Sequence, residues 1–117
     1  MRGTALDEAA ICRYLETARV GRVATHDQAS GSSELTPLLF VHRRGRIYLA
    51  TQPGRKLTLL RRYPQGVGLQ CDEALEPGWI SVFAWGRYRD VPPGREYGRA
   101  MALMAAKYRA AFVDQLS

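Results

Sequence analysis

Ile47-Tyr48-Leu49-Ala50-Thr51-Gln52-Pro53-Gly54-Arg55-Lys56-Leu57-Thr58-Leu59-Leu60-Arg61-Arg62-Tyr63-Pro64 is the stretch on which the reading of this chain turns. It predicts a strand, a tight turn at Pro53-Gly54, and a short helix that opens with Arg55 and Lys56 and stops at Pro64. Two cations at a helix start are locally unfavourable, because the N-terminal end of the helix dipole is already positive. An anion seated there removes the conflict: free backbone N–H groups, the dipole and two cationic side chains then converge on one phosphate. Read from spacing alone, Arg55 and Lys56 suit a solvated pair of cations equally well.

Working outward, Leu35 to His42 is a dense apolar strand that contains Pro37. A proline there belongs on an edge, at a bulge, or where a ligand takes the place of the next strand. Arg43-Arg44-Gly45 makes a turn, and Arg46 to Thr51 returns as the second arm of a hairpin. Upstream, Asp7 to Ala18 reads as a helix capped by Thr4 or Asp7, with Ile11, Leu15 and Ala18 on one face. Val20 to Thr25 is a short strand, and His26 to Ser33 a turn. Downstream, Leu57, Leu60 and Tyr63 give the short helix its inner face. Gly66 to Asp72 alternates, with Val67, Leu69 and Cys71 on one side. Glu73 to Gly78 is an acidic loop.

Trp79 to Val91 reads as the longest strand. Both of its faces are largely apolar, so both are expected to be covered, and Gly86 permits a bend. Arg95 to Val113 is a final helix with Ala100, Met101, Met104, Ala105 and Tyr108 on one stripe. Five antiparallel strands with helices around them predict an α+β, mainly β architecture: a small antiparallel split β-barrel. No repeat, low-complexity tract or linker divides residues 1–117, so one domain is expected.

Composition narrows the function classes. The chain has 117 residues, 46% hydrophobic and 24% charged, which is ordinary for a globular domain. No apolar run approaches the roughly 20 residues of a membrane span, and no secretory h-region follows the start. Cys12 and Cys71 lack metal or redox spacing, and His26 and His42 have no ligand neighbours, so no metal is expected. The expectation is a cytoplasmic protein with reduced thiols. Seventeen Lys and Arg against 11 Asp and Glu give a formal charge of +6, which attracts anions. Arg43, Arg44 and Arg46 have no interleaved aromatics at stacking intervals, so nucleic acid is not an expected partner. A basic barrel that binds nucleic acid is the weakest of the functional readings.

Gly21-Arg22-Val23-Ala24-Thr25, Thr36-Pro37-Leu38-Leu39-Phe40-Val41, Ile47-Tyr48-Leu49-Ala50-Thr51, Gly54-Arg55-Lys56, Leu60-Arg61-Arg62-Tyr63-Pro64 and Trp79-Ile80-Ser81-Val82 with Gly86-Arg87 occur in one order. In that order and spacing the chain resembles the pyridoxamine 5'-phosphate oxidase-like split-barrel flavoproteins, in their short, nitroimidazole-reductase-like branch. The resemblance covers roughly residues 10 to 91.

It implies flavin mononucleotide (FMN) in a groove at a homodimer interface. Arg55 and Lys56 would bind the phosphate. Thr36, Pro37, Leu38 and Leu39 would run beside the isoalloxazine ring. Ala50 and Thr51 would lie near the phosphate and ribityl chain, and Ser81 would reach the partner subunit's flavin. The implied activity is a flavin-dependent oxidoreductase acting on a small molecule, with no catalytic acid, base or nucleophile supplied by the protein. The alternatives are the deazaflavin F420 in the same groove, or a non-catalytic flavin-binding or flavin-sensing protein. A haem-binding variant of the fold is not expected, since no histidine stands as an axial ligand. Family members commonly continue past the Lys107-Tyr108 region into a further strand, whereas this sequence stops at Ser117. Vitamin B6 oxidation is therefore not carried over.

Overall fold

The computed structural model describes residues 5–109. In chain order these form α1 (Glu8–Thr17), β1 (Gly21–Asp27), β2 (Ser32–Arg43), β3 (Arg46–Ala50), α2 (Arg55–Arg62), β4 (Val67–Ala74), β5 (Trp79–Gly86) and α3 (Arg95–Lys107). The five strands make one antiparallel sheet in the order β3-β2-β1-β4-β5, the expected α+β split-barrel architecture.

Strand β2 spans the split. It pairs with β1 from Ser32, opposite Asp27, to Leu38, opposite Gly21. It pairs with β3 from Leu39, opposite Ala50, to Arg43, opposite Arg46. The two partners lie on opposite flanks, so β2 changes neighbours between Leu38 and Leu39. The tight β2–β3 turn places Arg44 and Gly45 at positive φ, 48° and 76°, the geometry that a two-residue hairpin loop demands.

Helix α1 starts where Asp7 Oδ1 accepts the Ala10 N–H at 2.8 Å; Thr4, the other expected cap, lies outside the described residues. Tyr14 and Leu15 of α1 and Leu60 of α2 pack with Val23, Leu38, Phe40, Leu69, Cys71 and Val82 into the main core. A second cluster joins α3 to the hairpin through Val41, Met104 and Tyr108.

Three expectations are corrected here. Strand β5 ends at Gly86 rather than Val91, and β2, with 12 residues, is the longest strand. The β5 face bearing Trp79, Phe83 and Trp85 is not covered by the described residues: these side chains are 67%, 45% and 73% exposed. Helix α3 turns Leu103, Met104, Lys107 and Tyr108 inward, while Met101 and Ala105 face out. The apolar stripe misled because the inward face carries a lysine, whose ammonium donates to the carbonyls of Leu15 at 3.2 Å and Phe40 at 3.0 Å. The part of the expected final helix from 110 to 113 lies outside the described residues.

Candidate functional site

A cleft of about 580 Å³ opens where β2 changes neighbours. Pro37, Leu38 and Leu39 of β2 form one wall, Ala50 closes the end of β3, and the turn Thr51–Gly54 leads to Arg55 and Lys56 of α2. The volume lies in the usual range of small-molecule and cofactor sites.

Backbone direction explains the proline. Groups of successive residues in an antiparallel strand point to alternate flanks. The N–H and C=O of Phe40 point away from β3, since both bond to Tyr108 on α3. By alternation Pro37 and Leu39 address the β3 flank. Leu39 meets Ala50, the last residue of β3, so Pro37 faces a flank with no strand beside it among the described residues. A residue without an N–H is tolerated there, and the cleft occupies the space.

The other end of the cleft is the start of α2. Gly54 is its N-cap and offers no side-chain cap, and the first turn contains no acidic residue. Thr58 turns its hydroxyl back to the Gly54 carbonyl at 3.0 Å and leaves the leading N–H groups alone. These unbonded donors are an anion site in their own right. Lys56 is half-buried and lines the cleft.

Arg55 is held by two carboxylates. Its Nε donates to Glu34 Oε1 at 2.7 Å and an Nη reaches Asp27 Oδ2 at 3.5 Å. The Glu34 hydrogen bond, more than any other influence, raises the Arg55 pKa above its ordinary value. Partial desolvation opposes ionisation of Asp27. The Ala29 N–H, a bond to Ser30 and the nearby guanidinium outweigh it and hold the carboxyl below its ordinary value.

Of the residues expected at a cofactor site, Pro37, Leu38, Leu39, Ala50, Thr51, Arg55 and Lys56 meet in this cleft. Thr36 is adjacent in β2 but pairs across from Val23 and does not line the cleft. Ser81 is on β5 at the far edge of the sheet, where its hydroxyl accepts from Gln70 Nε2 at 3.4 Å. Glu34 and Asp27 were not singled out from sequence. Only the β1–β2 register, which pairs Thr25 with Glu34 and Asp27 with Ser32, brings both carboxylates to α2. Among the described residues no group of three or more His, Cys, Asp or Glu could hold a metal. No helix among them is long and apolar enough to cross a membrane.

The donor set fits a flavin phosphate. Uncapped helix N–H groups and Lys56 lie at one end, and the apolar wall Pro37 to Leu39 lies at the other. A family model described as pyridoxamine 5'-phosphate oxidase matches residues 7–116. A FAD-binding protein from Mesorhizobium loti superposes with a TM-score of 0.76 at 25% identity, covering 91% of this chain and 75% of that one. A FAD-binding protein from Mycobacterium smegmatis gives 0.74 at 22% identity, covering 86% of this chain and 81% of that one. A conserved hypothetical protein from Mycobacterium tuberculosis gives 0.77 at 22% identity, covering 96% and 74%. The last two likenesses speak to the fold alone. No curated protein matches the chain.

Proposed function

The chain belongs to the pyridoxamine 5'-phosphate oxidase family, and from that premise we propose that it binds flavin mononucleotide in the β2–β3–α2 cleft of a homodimer and acts as an oxidoreductase on a small molecule. The supporting observation is the cleft itself: an uncapped helix start with Arg55 and Lys56 at one end, and at the other a proline-bearing strand flank without a neighbour among the described residues. Bound flavin supplies the redox chemistry.

The chain's own residues bind and orient. Lys56 and the leading N–H groups of α2 take the phosphate. Pro37, Leu38 and Leu39 offer a flat apolar wall to the ring, while the backbone carbonyl of Pro37 is free to accept from its polar edge. Homodimerisation is supported by the uncovered sheet face. Leu35, Ala24, Gly68 and Trp85 stand in one row across β2, β1, β4 and β5. Leu35 is 68% exposed. Two-fold pairing of such faces is the commonest way to cover them.

The test is the visible spectrum of the protein mixed with FMN and gel-filtered, with sedimentation of the same sample. A retained two-band flavin spectrum on a dimer is expected. Arg55→Ala combined with Lys56→Ala should weaken binding by at least about a hundredfold, since each of the two hydrogen bonds to a charged group contributes about 1.5–3 kcal/mol. A colourless or monomeric product would sink the corresponding half of the reading. FAD and F420 are the competing ligands to run alongside.

A further inference from the structure

Resting on that reading, we infer that Glu34 and Asp27 are counter-anions of the phosphate subsite, released from Arg55 when the phosphate arrives, so that flavin binding is an exchange of partners and readily reversible. Arg55 lines the cleft, yet its guanidinium is engaged on one edge by Glu34 at 2.7 Å and by Asp27 at 3.5 Å. Two carboxylates outnumber the one guanidinium, so the positive charge at that end of the cleft comes from Lys56 and the helix start. A phosphate dianion entering there either drives the carboxylates off or stays close to them at a Coulombic cost.

A second observation offers the released Glu34 a partner. Thr25 Oγ1 is buried and has no hydrogen-bond partner among the described residues. Thr25 is directly opposite Glu34 in the β1–β2 register. Side chains opposite one another in antiparallel strands are about 5 Å apart at Cβ, within reach of a glutamate. A buried hydroxyl without a partner costs stability, so the arrangement holds a donor in reserve. In the exchange Arg55 passes from Glu34 to the phosphate, and Glu34 accepts the Thr25 hydroxyl. The pair Arg55–Glu34 is half-exposed, with 54% and 42% of the side chains accessible, so it opens at small cost.

The experiment is fluorescence titration of the intact protein with FMN and, separately, with riboflavin, at low and at high salt. Glu34→Gln keeps the shape and the acceptor oxygen but removes the charge. It should tighten FMN about fivefold at low salt, less at high salt, and leave riboflavin unchanged. Thr25→Val should weaken FMN while leaving thermal stability equal or higher, because it deletes an unpartnered buried hydroxyl. Weaker FMN binding by Glu34→Gln would overturn the inference, since Glu34 would then be orienting Arg55. An equal change for riboflavin would also overturn it, as the effect would lie away from the phosphate. Wild-type protein that binds neither flavin would instead remove the flavin reading, and this inference with it.

Discussion

Beyond Gly21, where β1 starts, the flank of β2 at Phe40 is closed by the protein itself. Tyr108 Oη accepts the Phe40 N–H at 3.1 Å and sits 2.9 Å from the Phe40 carbonyl and 2.8 Å from that of Arg19; Lys107 Nζ adds a bond to the Phe40 carbonyl at 3.0 Å. Past the end of β3, the opposite flank at Pro37 has no strand beside it among the described residues, and the cleft begins there. Two gaps in one ladder are thus handled in opposite ways. Buried backbone groups must be bonded, so α3 plugs the inner gap. The outer gap is fitted with a residue that has no donor to satisfy, which leaves a free wall for a ligand.

Removing the plug should have the largest effect. Tyr108 is 1% exposed. Tyr108→Ala should destabilise by about 3–5 kcal/mol through lost packing and cavity formation. Tyr108→Phe keeps the ring and should cost about 1–3 kcal/mol, because the Phe40 N–H is left buried without an acceptor. Urea unfolding measures both. A Tyr108→Phe change below about 0.5 kcal/mol would mean that water replaces the hydroxyl and that the flank is not sealed.

Lys107 sharpens the same point through pH. Burial pushes its pKa down to about 8, from an ordinary value near 10.4; nearby Cys71 acts in the opposite direction and Arg19 in the same one. The folded state therefore binds fewer protons than the unfolded chain between about pH 8 and pH 10.4, and stability from this group rises with pH across that window. Below pH 8 both states are charged and the burial cost is fully present. Cys71, Tyr14 and Tyr108 have raised pKa values and slope the other way, so the difference between wild type and Lys107→Met reports the lysine together with its coupling to Cys71. That difference should shift in favour of wild type as pH rises from 8 to 10. A flat difference would place the ammonium in water.

The two flanks were unequally legible in the sequence. Pro37 and the Pro53-Gly54-Arg55-Lys56 turn announce themselves, because a missing donor and a cationic helix start are local facts of covalent chemistry and charge. Tyr108 and Lys107 do not, since their partner Phe40 lies 68 and 67 residues away. A lysine within an apolar stripe reads as surface unless the carbonyls it meets are known, which is why Met101 and Ala105 were expected inside in place of Leu103 and Lys107. Strand β5 was expected to reach Val91 because apolar alternation says nothing of where a partner stops; its pairing with β4 ends where Gly86 meets Val67. Glu34 and Asp27 escaped notice for the same reason as Tyr108. Their distance to Arg55 depends on hairpin register, not on spacing.

Pro37→Ala is the mildest way to break the contrast. The substitution restores an N–H on the β3 flank, beyond Ala50, where no strand of the described residues accepts it. Since that N–H faces an open cleft it can be hydrated, so no desolvation cost is expected. The remaining effect acts through the unfolded chain, whose conformational freedom increases when proline is lost, at about 0.4–1 kcal/mol of stability. Loss of the flat ring should also loosen the cleft wall and weaken binding of the flavin proposed to lie there by a small factor. A stabilising Pro37→Ala would have to come from a new backbone hydrogen bond. That bond would need an acceptor already standing on the open flank, and the flank would then be closed by the protein on both sides of β2.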